Sequence, residues 1–505
     1  MQYNLIPDGK NRFRIKKQGD MLVDAVVYVK QELKKEISSD RSLEQLTAAA
    51  SLTGVLEPVI GMPDIHEGFG LPIGGIMAMD SKKGLISAGA VGYDINCGVR
   101  LVKTNLPANY FYLSGTKTID KPKLRGLMRD IEKHVPMGTG KSGWQGVLPN
   151  VALKEVAEEG IKILVKRGYG SLEDLSHTEE EGCLAGGALE FVSERAQKRG
   201  RDQLGTLGGG NHFIDIQVID KIFDQELADQ FDLKENNICI MIHCGSRGFG
   251  HQIGDDYMRL MPKEAQKEGI HIPSKELAAV PITSKTGQQY WSAMAAAVNF
   301  AFGNRHLIMH YVREAFERHF GKSAKELGMD LLYDVAHNIA KFEPAQTRQN
   351  LLANPPKFES KFRRANLGGQ YLIHRKGATR ALPAGHPQNP KIYQETGHPV
   401  LVPGSMATPS YVLVGAEAAA ETFYSVNHGA GRRMSRNEAK RTITPQEFEQ
   451  KLGSILTNFR NVREVLDEAP MVYKDIDLVV DTLVECGITK KVARLQPIAV
   501  MIGKE

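Results

Sequence analysis

The sequence contains no apolar run close to the ~20 residues that a membrane span requires. Its opening stretch, MQYNLIPDGKNRFRIKKQGD, has no apolar core of the kind a secretory signal needs, so a cytoplasmic location is expected. Cysteine is scarce: Cys97, Cys183, Cys239, Cys244 and Cys486 are odd in number, irregularly spaced and never in a CxxC pair. Neither a disulfide framework nor a zinc ribbon fits that pattern. Internal repeats, low-complexity tracts and long Pro/Ser linkers are also missing. A chain of 505 residues would by length alone suggest two to four domains. The lack of linkers favours one large interwoven unit over residues 1–505. No G-x-x-x-x-G-K-[ST] loop occurs, and no G-x-G-x-x-G follows a strand, so any nucleotide is bound in a non-standard way. The formal net charge of +5 is mild for this length and permits an anionic partner without demanding one.

Glycine is abundant instead. Its 50 residues are about a tenth of the chain, against a usual ~7%, and many stand in short loops beside polar residues. Helical periodicity is clearest over Asn150–Val165, Gly187–Lys198, Gln288–Phe320, Pro445–Leu456 and Asp475–Cys486. Strands read best at Gly98–Thr104, Asn211–Ile219, Ile238–His243, Leu331–Ala336, Tyr411–Val414 and Pro497–Ile502. The two kinds of segment do not alternate regularly, which points to an α+β fold and not to a doubly wound parallel sheet.

Several strands stop at chemistry. ICIMIH runs into CGSRGFGH, LLYDVA ends at HN, GGG precedes NHFIDI, and GAVGYDINCG precedes VRLVKT. Groups at the ends of rigid elements are what a preorganised site needs. Asp94 and Cys97 share one tight turn, where carboxylate and thiolate could face one ion. His212, His243 and His337 each cap an apolar strand. Any one of them alone reads as a buried structural histidine; three in the same setting, with the Asp/Cys turn, point to metal. Five ligands exceed one tetrahedral site, so a thiolate-bridged pair of ions is plausible, with zinc and manganese both compatible. His306 and His310 stand at i, i+4 on a helix, but no HExxH glutamate accompanies them, and they read as structural. His66 lies in a glycine-rich loop beside Asp64, a candidate to orient an imidazole.

Glycines pair with Arg or Lys in KRGRDQLGTLGGGNH, HCGSRGFGH, HRKGATRALPAGH and HGAGRRMSR. Backbone amides of such turns form anion-binding concavities, and guanidiniums bind phosphate oxygens bidentately. In the last segment His428 sits against a Gly-Ala-Gly turn with three arginines following. It reads either as a solvated turn entering a basic helix or as a histidine that handles phosphate.

Together, GYDINCGVR, GTLGGGNHF, MIHCGSRGFGHQ, AHNIAK, HRKGATRA, PGSMATPSYVL, HGAGRRMSR and RLQPIAV resemble the RtcB family of RNA-splicing ligases, in order from about Gly61 onward, with residues 1–60 less clearly matched. The resemblance implies an enzyme that joins RNA 2′,3′-cyclic-phosphate or 3′-phosphate ends to 5′-hydroxyl ends, using GTP and two manganese ions. It implies that His428 becomes guanylylated, with Asp64 orienting it. It implies metal ligands at Asp94, Cys97, His212, His243 and His337, with Cys97 bridging, Asp94 and His212 on one ion, and His243 and His337 on the other. GTP contacts carry over onto Asn211, His212, Phe213, Ile214, Asp215, His337, Asn338, Pro403, Gly404, Ser405, Met406, Ser410, His428, Gly429, Ala430, Gly431, Tyr473 and Lys504. RNA phosphates are assigned to Arg199, Arg247 and Arg436.

Three positions depart from the family pattern. Asp215 stands where Glu is usual, Ala407 where Gly is usual, and Ile502 where the family has a lysine near guanine O6. Lys504, two residues on, would share a face with Ile502 in a continuing strand, displaced by roughly 6.5 Å. These departures leave two alternatives to full ligation: an enzyme that caps RNA 3′-phosphates with GMP without sealing, or a non-catalytic RNA-end-binding protein.

Overall fold

A computed structural model describes residues 3–138, 152–344 and 370–503. The apolar segments of the sequence assemble two large sheets. One has eight strands, in the order Leu331–Ala336, Gly98–Pro107, Asn237–Cys244, Phe213–Ile222, Thr489–Ile502, Ser410–Gly415 and Val400–Val402, with Leu456–Thr457 beside Thr489–Ile502. Its pairings are antiparallel apart from that short parallel addition. The other has seven strands: Ile6–Pro7, Arg12–Ile15, Ala25–Tyr28, Val59–His66, Ile73–Asp80, Gln370–Lys376 and Asn338–Pro344. This mixed architecture of helices and several sheets forms one domain. Among the described residues no helix is long and apolar enough to cross a membrane.

The two sheets meet where Leu331–Ala336 of the first hands over to Asn338–Pro344 of the second, with His337 the single residue between them. Against this junction lies the 36-residue helix Lys285–Phe320. Ser284 caps its start by accepting from Gly287 N–H, and Gly321 ends it at φ +64°. Its middle is rich in small residues (Ala293, Ala295, Ala296, Ala297 and Gly303), all buried, which lets neighbouring elements approach closely. Arg305 projects from it to meet Asp334, with Nη2 2.7 Å from Oδ1, and Arg100 reaches the same carboxylate at 2.7 Å. All three side chains are fully buried.

The strand expectations hold in position: Leu331–Ala336 has the bounds expected, the strand expected from Asn211 runs Phe213–Ile222, and the others extend one to eight residues beyond the segment read. The helices over 288–320 and 475–486 also hold, as Lys285–Phe320 and Ile476–Glu485. Three others need correction. The helix expected over 150–165 is two, Leu153–Glu159 and Ile161–Lys166, and its first two residues lie outside the described residues. They break at Gly160 (φ +61°), where a Cβ would stand 2.0 Å from Gly182 O. The helix expected over 187–198 begins only at Glu194, behind a Ser193 cap, with a short 3₁₀ turn before it. The helix from Pro445 stops at Leu452, because Gly453 takes φ +60° and the chain turns into the strand Leu456–Thr457.

The seven-stranded sheet was not foreseen. VIGMPDIH and IGGIMAMD carry Gly, Pro, His and Asp, and they are buried on both faces, so they show neither alternation nor a clean apolar run.

Replacing Asp334 with Ala would leave Arg100 and Arg305 as uncompensated buried cations. The expected loss is about 3–5 kcal/mol of stability, seen as an earlier midpoint in chemical denaturation. A wild-type midpoint would mean that the network carries little of the fold.

Candidate active site

The antiparallel order of the large sheet decides which residues share an edge. Gly98 faces both Cys244 and Ala336, Phe213 faces His243, and Ile502 faces Phe213. The residues just past or at these ends, Cys97, His243, His212 and His337, therefore converge although up to 240 positions separate them in the chain. Cys97 Sγ lies 3.1 Å from His243 Nε2 and 3.6 Å from His212 Nε2, and His212 Nε2 lies 2.8 Å from Asp94 Oδ2. The ligand atoms of Asp94, Cys97 and His212 all fall within 4.8 Å of one another. Ring centroids then step from His212 to His243 (5.7 Å), to His337 (5.3 Å) and to His428 (5.3 Å). The structure thus brings all five expected metal ligands and the histidine of HGAG into one row.

The donor set suits a cation. His243 and His337 are buried, and burial holds both imidazoles well below their ordinary value, so they are neutral and have lone pairs to give. His337 Nε2 is buried without a hydrogen-bond partner, while its Nδ1 is held by Thr379 Oγ1 at 3.1 Å. His243 Nδ1 is likewise orphaned. Burial and the adjacent Asp94 carboxylate push the Cys97 thiol up to about 12, so only a nearby cation would make it a thiolate. Two backbone hydrogen bonds and one side-chain bond fix the turn: His337 N–H donates to Cys97 O at 2.7 Å, Asn96 N–H to Asn338 O at 2.7 Å, and the Asn338 side-chain Nδ2 to Asp94 O at 3.0 Å.

His428 follows the short strand Ser425–Asn427, which pairs with Ala378–Arg380. Its Nδ1 lies 2.7 Å from Asp64 Oδ2, and its backbone N–H donates to the same oxygen at 3.1 Å. Asp64 is fully buried, and Gly431 presses on it so closely that a Cβ there would stand 2.2 Å from Asp64 O. A carboxylate that accepts from Nδ1–H fixes the tautomer and leaves the Nε2 lone pair for chemistry. His66, the other histidine of that segment, is turned away from this role: its Nδ1 donates to Asp64 O at 2.8 Å.

The remaining candidates divide. Phe213 and Asp215 share one face of their strand, and Ile214 packs its side chain into the core on the other. Asp215 is buried, its Oδ1 has no partner, and burial raises its carboxyl well above the ordinary range, with only Gln217 opposing. Ser410 accepts from Gln217 Nε2 and from Gly404 N–H, and Ser405 N–H donates to Thr408 Oγ1. Pro403 O comes within 3.3 Å of a Cβ built on Gly429, which places the PGSM turn against the HGAG turn. Met406 and Tyr473 pack into an apolar cluster with Phe213, Val500 and Ile502, whereas Ala430 belongs to the core behind the loop. Asn211 is exposed beside His212. Lys504 lies outside the described residues; before it, Gly503 is wedged where a Cβ would meet Gly208 O at 1.5 Å.

Of the arginines, Arg247 donates from Nε to Thr206 Oγ1 and keeps a buried Nη2 without a partner. Arg199 donates to Gln252 Oε1 at 3.1 Å, and Arg436 is ion-paired with Asp467 (2.6 Å) and Glu468 (2.7 Å). His306 is buried between Arg100 and Tyr169 O, the structural role expected of it. Thr379, Gln217, Ser246 and Lys474 also shape the site. No motif announces them, since each acts from an ordinary strand or loop position.

The family model described as "tRNA-splicing ligase RtcB" matches residues 45–503. A protein of Thermococcus kodakarensis named tRNA-splicing ligase RtcB is 44% identical over 486 residues, covering 96% of this chain and 95% of that protein. Proteins of the same name from Pyrobaculum aerophilum and Nanoarchaeum equitans are 42% and 40% identical, with 94% and 97% of this chain covered and 94% and 98% of theirs.

Proposed function

The chain belongs to the RtcB family, and on that premise we propose that it is a GTP- and manganese-dependent RNA ligase acting through a guanylylated His428. Its substrates are RNA 2′,3′-cyclic-phosphate or 3′-phosphate ends and 5′-hydroxyl ends. The observation that carries this reading is the pairing of His428 Nδ1 with buried Asp64 at the end of the His212–His243–His337 row. An imidazole held in that tautomer attacks phosphorus through a neutral nitrogen.

In the proposed sequence Nε2 forms a bond to the α-phosphorus of GTP and pyrophosphate leaves. A 2′,3′-cyclic phosphate is first opened by water, which breaks its bond to O2′ and leaves a 3′-phosphate and a free 2′-hydroxyl. The 3′-phosphate oxygen then takes the GMP from nitrogen, and the 5′-hydroxyl oxygen, giving up its proton, displaces GMP to close the phosphodiester. The Nδ1 proton stays on the ring, and the Asp64 carboxylate that accepts from it stabilises the positive charge that the ring acquires on attack. Asp94, Cys97, His212, His243 and His337 would hold a pair of divalent cations in a metal-lined pocket, which supply charge neutralisation for the transferring phosphoryl group. Asp215 and Ser410, with the apolar wall of Phe213, Met406 and Ile502, form the surface assigned to the base. The orphaned Nη2 of Arg247 is the phosphate donor best supported on the RNA side.

Incubation with labelled GTP, manganese and two RNAs bearing the matching ends tests the reading. A joined product supports it. A GMP-capped 3′ end without joining would reduce the protein to a capping enzyme, and neither adduct nor product would leave an RNA-end-binding protein.

His428→Ala should abolish the covalent guanylate while leaving bound metal within about twofold, because the imidazole is not among the assigned ligands. Intact mass after incubation with GTP reads the adduct, and its survival in the variant would remove His428 from the role. For the metal, Cys97→Ser should lose more than His337→Ala, since the thiolate is assigned to both ions. Metal content per chain decides this, and equal losses would make Cys97 an ordinary ligand or a buried thiol.

A further inference from the structure

Asp64 reaches His428 only because the strand Val59–His66 is irregular. Pairing with Ile73–Asp80 is regular at Ile60↔Ile76 and Gly61↔Gly75, and resumes at His66↔Ile73. Between these points Met62, Pro63, Asp64 and Ile65 stand opposite the single residue Gly74, so the chain arches out of the sheet. Gly74 (φ +84°) permits this, since a Cβ there would stand 2.8 Å from Ile65 Cα and 2.9 Å from Asp64 Oδ1.

An arch of this kind strands its carbonyls away from the ladder, and buried carbonyls need other donors. The donors here are side chains. His66 Nδ1 takes Asp64 O, while Lys474 Nζ donates to Pro63 O at 3.2 Å and to Ile65 O at 2.5 Å. Lys474 is buried, at 3% exposure, so these bonds are not exchanged with water. Its backbone N–H meanwhile donates to Gly431 O at 2.9 Å, in the turn that carries His428.

We propose that Lys474 is the positioning residue of the Asp64–His428 pair, its side chain fixing the arch that presents Asp64 and its main chain fixing the turn that presents His428. No other residue outside the pair holds both halves through hydrogen bonds among the described residues. The inference rests on the reading of His428 as the nucleophile, but it concerns geometry that exists before any nucleotide binds. Lys474 touches no reacting atom and is not a catalytic residue.

The test uses the full chain with Lys474→Met, which keeps the length of the side chain and removes its donors, and with Lys474→Gln, which can still serve one carbonyl. Histidine-selective ¹⁵N NMR without nucleotide reads the His428 tautomer, its signal assigned by loss in His428→Ala. In the wild type Nδ1 should be protonated and Nε2 should not. In Lys474→Met the two nitrogens should average, and the guanylylation rate should fall tenfold or more with metal content retained. Lys474→Gln should lie between. A wild-type tautomer and rate in Lys474→Met overturns the proposal. If that variant fails to fold, Lys474→Gln decides by the same two readouts, a wild-type result again overturning it. Absence of any adduct in the wild type, with the tautomer shift intact, would overturn the nucleophile reading and leave the positioning role standing.

Discussion

Asp334 lies between Arg100 and Arg305, three charged side chains without solvent access. Burying such a network is costly, and its net contribution to stability over an apolar alternative is small or negative. Its effect is on arrangement. Arg305 spends its remaining donors on Asn96 O at 2.7 Å and Cys244 O at 2.9 Å. Those carbonyls belong to the two turns that carry Cys97 and follow His243. Asn96 takes a left-handed φ of +53° there, a conformation that few side chains tolerate and that a fixed guanidinium can stabilise. One helix-borne cation thus sets the distance between the strand ends that hold the thiol and the imidazoles.

The sheet does the rest through its order. In an antiparallel array each strand's start lies beside its neighbour's finish, so chemistry at the start of Gly98–Pro107 and Phe213–Ile222 meets chemistry at the finish of Asn237–Cys244 and Leu331–Ala336. A parallel sheet would have split these groups between two edges. His337 then serves as a hinge between the sheets, with Cys97 holding its N–H and Thr379 its Nδ1. Because Thr379 lies on the strand that pairs with Ser425–Asn427, the same contact reaches the segment that presents His428.

Much of the large sheet was legible because ICIMIH is a nearly unbroken apolar run entering a polar turn, while NHFIDIQVI and VRLVKT are rich in β-branched residues and follow glycine-rich polar turns, a pattern that states both the strand and its useful end. The histidine row was legible for the same reason. The seven-stranded sheet was not, because VIGMPDIH breaks every strand rule in order to arch, and the arch is what brings Asp64 to His428. Lys474 was invisible for a related reason: a lysine in an unremarkable loop gives no sign that its ammonium replaces a missing sheet partner. Gly160 and Gly453 were visible as residues but not as breaks, since a single glycine inside a helical period is tolerated unless its φ is positive.

The HGAGRRMSR segment shows how a correct motif can contain residues of two kinds. His428 faces the histidine row. The arginines beside it face the other way: Arg432 donates to Met434 O and Asp467 O and lies 5.4 Å over the Tyr473 ring, Arg433 donates to Met471 O, and Arg436 pairs with Asp467 and Glu468. Burial keeps the Glu468 carboxyl above its ordinary value even against these guanidiniums. The cations therefore bind the HGAG turn to the segment 467–473, whose next residue is Lys474. Arg436 Nη1 is thus held by two carboxylates, whereas at Arg247 a buried donor, Nη2, stands without a partner. Within one motif, therefore, the histidine is aimed at the row of imidazoles while the arginines are engaged in tying the turn to its neighbouring segment.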